Sequence, residues 1–223
     1  MKLCTSIELL FTEAGSEPAD RVRAAADAGV HDVEIWQHSN KDLGRLRRAL
    51  DDNRSRLWTL LVESRVPLAD RNAHAPWLEQ VGIACKAARV LGCPYIVTGS
   101  GTGFPFMRRA QQSAIVVEAL KAGAEVAARH DVVLLLENLN TRVDHPGTLF
   151  DHLSDCVGAI RAVGGPGIGL LFDLYHALQM RESPTAELRE HAALIRHVQI
   201  ADLPNRSEPG SGSVDWPARL REV

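Results

Sequence analysis

The chain has 223 residues, with 25 lysines and arginines against 28 aspartates and glutamates, a formal charge of −3 at pH 7. Hydrophobic residues make up 45% and charged residues 24%, as in a globular domain with a real core, and nothing in the charge resembles a footprint for nucleic acid or an anionic membrane. No stretch approaches the roughly 18 apolar residues of a spanning helix, and the polar start Met-Lys-Leu-Cys-Thr-Ser does not read as a signal peptide. Cys4, Cys85, Cys93 and Cys156 are scattered, with no CxxC. They read as reduced small hydrophobes, and the expected location is the cytoplasm.

Along the chain, short apolar or β-branched runs alternate with longer helical patterns. Residues 3–7 predict a first strand and 19–28 a helix, with Asp20 near its start and Gly29 past its end. Strands follow at 32–36, 57–62 and 95–98, separated by helices at 41–51 and 77–91. An Ala-rich helix at 110–129 leads to an unbroken apolar strand at 132–136 that ends at Glu137. A helix at 150–163 precedes an equally apolar strand at 168–172, ending at Asp173. Then come a helix at 186–195, a seventh strand at 197–201, and a helix opening at Trp216 that runs to the last residue, Val223.

Strands without polar alternation, separated by helices, imply a parallel sheet covered on both faces. Repeats of about 30 residues suit a (β/α)8-type TIM barrel better than an open sheet. No GxGxxG follows the first strand and there is no Walker A motif, so the common nucleotide-binding folds lose their main support. Gly-Ser-Gly-Thr-Gly at 99–103 could cradle a phosphate, although a flexible loop gives the same glycines.

Barrel active sites are built from the C-terminal ends of the strands. Glu137 is followed by Asn-Leu-Asn-Thr-Arg, Asp173 by Tyr175 and His176, and the seventh strand holds His197 and Gln199 ahead of Asp202, Arg206 and Glu208. An acid ending an apolar strand is costly to bury unpaired, so it meets a cation, a basic side chain or solvent. Two carboxylates converging with a neutral oxygen or imidazole make a site for Mg²⁺ or Mn²⁺. Each residue also has a plainer reading: Asp173 as a cap, His176 as a loop histidine, Arg142 as a structural partner of Glu137. Their recurrence at successive strand ends favours a site.

These residues carry a family resemblance. Segment 136–147, Leu-Glu-Asn-Leu-Asn-Thr-Arg-Val-Asp-His-Pro-Gly, resembles the fifth-strand segment of hydroxypyruvate isomerase-like proteins, and Asp-Leu-Tyr-His at 173–176 their D-x-Y-H. Segment 197–212, His-Val-Gln-Ile-Ala-Asp-Leu-Pro-Asn-Arg-Ser-Glu-Pro-Gly-Ser-Gly, is similar to their H-x-Q-x-A-D-x-P-G-R-x-E-P-G-x-G. The resemblance implies one xylose isomerase-like TIM barrel domain over residues 1–223. It implies a metal-dependent isomerase of small hydroxy-carbonyl compounds, of the hydroxypyruvate/tartronate semialdehyde type, working by proton transfer through an enediolate. Carried over by position, Glu137 is a metal ligand and catalytic carboxylate, Asp173 and Gln199 are metal ligands, and His176 and Arg206 hold substrate oxygens. The ion is divalent, Mg²⁺ or Mn²⁺. His197 shares a strand face with Gln199, so only the resemblance sets it aside as a ligand.

Asn205 departs from the usual Gly before Arg206, and Ser213 stands where an acid is common. The family's second catalytic Glu ends an eighth strand, whereas this sequence stops at Val223, with Glu222 assigned to the last helix. The expectation is therefore a barrel truncated before strand eight, with strand edges covered by association into a homo-oligomer. Alternatives are a ketose 3-epimerase-like sugar epimerase and a non-catalytic barrel. A nuclease of the endonuclease IV type would need histidines on strands two to four, where strands three and four end in Glu63 and Gly99; no nucleic-acid or membrane partner is expected. Trp36 and His38 could wall a pocket, and Arg65, Arg71, His74 and Arg108-Arg109 could reach an anionic substrate.

Overall fold

The structure, a computed structural model, describes residues 2–221, and for 184–187 and 220 the backbone alone. Among the described residues, eight strand segments and eight α-helices follow in chain order: β1 (Cys4–Ser6), α1 (Pro18–Asp27), β2 (Asp32–Glu34), α2 (Leu43–Asp52), β3 (Arg56–Leu57), β4 (Thr59–Leu61), α3 (His74–Leu91), β5 (Tyr95–Thr98), α4 (Arg109–Ala128), β6 (Val133–Glu137), α5 (Leu153–Val163), β7 (Ile168–Asp173), α6 (Leu174–Gln179), α7 (Pro184–His191), β8 (Ile195–Gln199) and α8 (Trp216–Leu220). The chain divides into two compact units: Met1–Ser64, Pro76–Val97 and Gly123–Leu134 in the first, Arg65–Ala75, Thr98–Ala122 and Leu135–Val223 in the second. Glu222 and Val223, assigned above to the terminal helix, lie outside the described residues.

In the first unit β1 and β2 pair in parallel with Thr5 opposite Val33, and β2 pairs with β3 with Val33 opposite Leu57. The predicted third strand is a single run broken at Trp58. Its pairing with the β2 segment continues past the break through Trp58 N–H to Val33 O, Ile35 N–H to Thr59 O and Leu61 N–H to Trp36 O. β4 then pairs with β5, Leu60 opposite Ile96. Val33, Leu57, Leu60 and Ile96 are essentially inaccessible to solvent, which explains why these strands lack polar alternation. Helix α2 begins two residues later than the charge pattern predicts. Asp42 caps it by accepting from Arg45 N–H at 2.9 Å, and Lys41 lies outside, its Nζ 2.7 Å from Glu8.

In the second unit β7 pairs with β8 in parallel, and all six β7 residues are buried. Boundaries differ from the sequence expectation at α5, at α7, which runs Pro184–His191 against an expected 186–195, and at β8; for α5 and β8 the reasons are local. Helix α5 starts at Leu153 rather than 150, because the preceding amides bond elsewhere: Leu149 N–H to Gly101 O at 2.9 Å and Phe150 N–H to Ser100 Oγ at 2.9 Å. The 99–103 glycines thus take up a loop zipped to residues 147–150. Strand β8 runs from Ile195 rather than 197, with a register irregularity between Leu170 and Leu171. It ends before Ala201, since Asp202 N–H turns back onto Ser207 O at 2.8 Å.

Glycine matters inside α4, where a Cβ on Gly123 would lie 2.4 Å from Cη2 of the buried Trp77 indole. Gly82 in α3 has nothing within 4 Å of that position. Gly→Ala in a helix contributes up to about 1 kcal/mol through propensity, whereas overpacking a well-filled site costs about 1–3 kcal/mol. Gly82→Ala should therefore raise the urea midpoint and Gly123→Ala lower it, with the m-value unchanged in both. Equal shifts would show that the Trp77 contact does not limit this packing.

Candidate functional site

Every residue singled out as a ligand or catalytic group lies in the second unit. Glu137 is the last residue of β6, Asp173 the last of β7 and Gln199 the last of β8. Asp173 and Gln199 are direct register partners on neighbouring parallel strands, so their side chains share a face. Asn138 completes the frame. Its side-chain amide donates to Asp173 O at 3.0 Å and accepts from Asp173 N–H at 2.9 Å, acting as an extra rung between the two strand ends. Asp173 in turn caps α6, accepting from His176 N–H at 3.0 Å. His176 is therefore a fully buried residue in the first turn of a short helix, not a loop histidine.

Around His176 the polar groups are closely matched. Nε2 lies 3.5 Å from Asp173 Oδ2, 3.8 Å from Glu137 Oε1 and 3.3 Å from Arg206 Nη2. Nδ1 lies 2.6 Å from the side-chain nitrogen of Asn140, which is itself fully buried. Asn140 also donates to Asp144 Oδ2 at 2.6 Å, while its Oδ1 accepts from Val143 N–H at 2.9 Å and Asp144 N–H at 3.1 Å. Burial, reinforced by Arg206 and His145, pushes His176 down to about 3, so the imidazole is neutral. His145, half-buried, meets the His176 ring edge-on with centroids 5.3 Å apart. Burial works to raise Asp144, but hydrogen bonds from Asn140 and Tyr175, together with Arg206, hold it below the usual carboxylate range.

Arg206 reaches these acids from the segment after β8. Its guanidinium lies 3.6 Å from both Asp173 and Asp144 and packs over the Tyr175 ring at 5.1 Å. It adopts φ 55°, a left-handed conformation unusual for a side chain of this size. Asp202 organises that segment. Fully buried, its carboxylate accepts from Leu203 N–H, Gly210 N–H, Val214 N–H and Trp216 Nε1–H at 2.8–3.0 Å. Burial alone would raise this carboxyl; the converging donors hold it well below the ordinary range instead. A Cβ at Gly212 would fall 2.0 Å from Leu203 O and 2.5 Å from Asp202 Oδ1, which accounts for the last glycine of the 197–212 motif.

Glu137, Asp173 and His176 bring potential ligand atoms within 4.8 Å of one another. Hard carboxylate oxygens beside the Gln199 position are the donor types that Mg²⁺ and Mn²⁺ prefer, so the residues present fit such an ion. Other sequence candidates are engaged elsewhere. Arg71 makes a two-point pair with Glu118 at 2.6 and 2.7 Å, His74 bonds Leu68 O at 2.9 Å, and Arg109 bridges Asp151 and Asp155. In the first unit, Glu63 clamps the loop after β2, accepting from His38 N–H and from Ser39 N–H and Oγ–H, while His38 is buried. Asn138, Asn140, Asp144, His145 and Asp202 carry no assigned role in the sequence reading. Their only signal was position: asparagines directly after an apolar strand, and an aspartate inside a long motif.

The chain matches the Xylose isomerase-like TIM barrel family over residues 22–223. It is 29% identical over 234 residues to the putative hydroxypyruvate isomerase of Homo sapiens, covering 97% of this chain and 82% of that protein. It is 30% identical over 207 residues to the 2-oxo-tetronate isomerase of Cupriavidus necator, covering 89% and 78%. A solved structure described as AP endonuclease, family 2, from Brucella melitensis superposes with a TM-score of 0.89 at 26% identity, covering 100% of this chain and 88% of that one. The chain belongs to the xylose isomerase-like TIM barrel family, among its hydroxypyruvate isomerase-like members, and is an enzyme of the isomerase class. Among the described residues, no helix is long and apolar enough to cross a membrane.

The Asp202 carboxylate yields a pH signature. A folded-state pKa below the unfolded value of about 3.9 contributes stability that is present above that value and lost as pH falls through the folded one. The gap in urea midpoint between the wild type and Asp202→Asn should be widest near neutrality and narrow below about pH 4. A gap that stays constant down to pH 3 would contradict the donor arrangement around this carboxylate.

Proposed function

We propose that this member of the xylose isomerase-like TIM barrel family interconverts a small 2-oxo-3-hydroxy acid and its 3-oxo-2-hydroxy isomer, of the hydroxypyruvate and tartronate semialdehyde type, in the cytoplasm. The observation that carries the reading is the convergence of Glu137, Asp173, His176 and Arg206 within 3.3–3.8 Å links, at the ends of the neighbouring strands β6 and β7 and on the segments that follow β7 and β8. The names of the similar isomerases support the same substrate class.

The chemistry follows from the residues. Glu137 takes a proton from the hydroxymethyl carbon of the oxo acid, giving a cis-enediolate, and returns it to the neighbouring carbon on the same face. The net change moves one hydrogen from C3 to C2, while the hydroxyl proton passes from O3 to O2. Charge develops on the two adjacent oxygens as the proton leaves. Arg206 and the neutral His176 ring stand as donors to that charge, and a buried, preorganised donor acts more strongly than water would. Asp173 keeps Arg206 and His176 in place through its cap and ion-pair contacts. A divalent ion held by Glu137, Asp173 and Gln199 would supply Lewis-acid polarisation of the same two oxygens.

The decisive experiment incubates the protein with hydroxypyruvate, tartronate semialdehyde and a ketopentose, with and without Mn²⁺. Interconversion of the two acids is expected, with Glu137→Gln lowering kcat on the order of 10²–10⁴-fold. Mn²⁺ at about 100 times its Kd should add about 2.7 kcal/mol to the wild type's stability, and markedly less to Glu137→Ala. Turnover of the ketopentose alone would replace the acid isomerase with a sugar epimerase. Full activity in Glu137→Gln would remove the mechanism.

A further inference from the structure

We infer that Asn140 is a positioning residue that holds His176 as the Nε2–H tautomer, so that His176 serves as a hydrogen-bond donor and not as a metal ligand. The argument begins at the amide. Asn140 Oδ1 accepts two backbone N–H groups, from Val143 at 2.9 Å and Asp144 at 3.1 Å. The reversed amide would set its NH₂ against those two donors and its oxygen 2.6 Å from the Asp144 carboxylate. The orientation is therefore set by three independent contacts. With it set, the group facing His176 Nδ1 at 2.6 Å is an N–H donor, and Nδ1 must offer a lone pair. A neutral ring with its lone pair on Nδ1 carries its proton on Nε2.

Arg206 is the competing influence, since its Nη2 lies 3.3 Å from Nε2 and would prefer a lone pair there. The contacts are unequal. The Asn140 bond is much shorter, fully buried and locked by backbone, whereas the Arg206 side chain is about one-third exposed and has Asp144 and Asp173 oxygens at 3.6 Å as acceptors. Nε2–H and Arg206 Nη2 then flank one acceptor, Asp173 Oδ2, at 3.5 and 3.6 Å. His176 lies close enough to Glu137 and Asp173 to complete a three-ligand group by distance. A metal ligand must present a lone pair, however, and second-side partners of ligating histidines are acceptors rather than donors. Asn140 is the opposite kind of partner. The cation is left to the oxygens of Glu137 and Asp173 and to Gln199, and Nε2–H is directed to a substrate oxygen. That last role rests on the isomerase reading; the tautomer does not.

The test is long-range ¹H–¹⁵N correlation of histidine rings in the full chain, metal-free and again with Mg²⁺, with His176 assigned by the loss of its signals in His176→Gln. The expected pattern is an unprotonated Nδ1 and a protonated Nε2 near neutral pH in both samples. Asn140→Asp offers an acceptor to Nδ1 and should reverse the pattern. It should lower kcat for the acid isomerisation on the order of 10²-fold, the effect of losing one preorganised donor, with KM little changed. Asp144→Ala removes the second acceptor of the amide but not the backbone lock, and should leave the tautomer as it is. If Asn140→Asp does not fold, Asn140→Ala should give a mixture of tautomers. A protonated Nδ1 in the wild type, or one unchanged tautomer in all folded Asn140 variants, overturns the inference. A wild type that isomerises no acid but shows the expected tautomer overturns the functional reading and leaves the positioning of His176 standing.

Discussion

A carboxylate at the end of a strand buried along its whole length has to be matched by donors wherever the chain closes over it. Asp173 is that group: 2% exposed, it ends a strand whose six residues are all buried. Its backbone is paired by the Asn138 amide, and its side chain caps α6 and stands 3.5 and 3.6 Å from His176 and Arg206. Each of those partners makes its own demand. His176 needs Asn140, Asn140 needs the turn at 143–144, and Arg206 needs the Asp202-centred segment to deliver it. The polar contacts around these strand ends are thus a chain of consequences of the buried Asp173 carboxylate, and the segment that delivers Arg206 is organised by a second buried carboxylate, Asp202.

The strands were legible because burial on both faces leaves a simple signature. The runs at 95–98, 132–136 and 168–172 correspond to β5, β6 and β7 within a residue at each end. Boundaries drifted where side chains or loops took over backbone groups. Ser100 and Gly101 hold the amides ahead of α5, so a helical pattern beginning at Phe150 starts three residues late. Helix α6 was unreadable as a helix: six residues are too few for periodicity, and it exists because Asp173 caps it. The break at Trp58 likewise leaves no mark in composition, since the pairing on either side of it is continuous.

The site was legible in its acids and bases and opaque in its amides. Glu137, Asp173, His176, Gln199 and Arg206 stood out because charged or metal-seeking groups at strand ends are chemically conspicuous, and a family pattern links them. Asn138 and Asn140 sit in the same stretch, yet an asparagine after a strand reads equally as a turn residue. Only in the folded chain does one replace a ladder rung and the other face an imidazole nitrogen. Asp202 stood in the sequence only as an acid within a motif, with nothing to mark that it is completely enclosed. Local pattern reveals which groups are reactive; which groups hold them depends largely on contacts between residues distant in sequence, 36 apart for Asn140 and His176.

The segment from Asp202 to Trp216 has a further consequence. Leu203, Gly210, Val214 and Trp216, with the Gly212 backbone beside them, supply hydrogen bonds to the Asp202 carboxylate from inside the segment itself. Its shape is therefore self-contained, like a cassette with its own internal frame. Asn205, Arg206 and Glu208 are mounted on that frame without contributing donors to the carboxylate. For a protein engineer this separates scaffold from specificity: Asn205 and Glu208 can be randomised together to seek new substrates, while Asp202, Arg206, Gly212 and Trp216 stay constant.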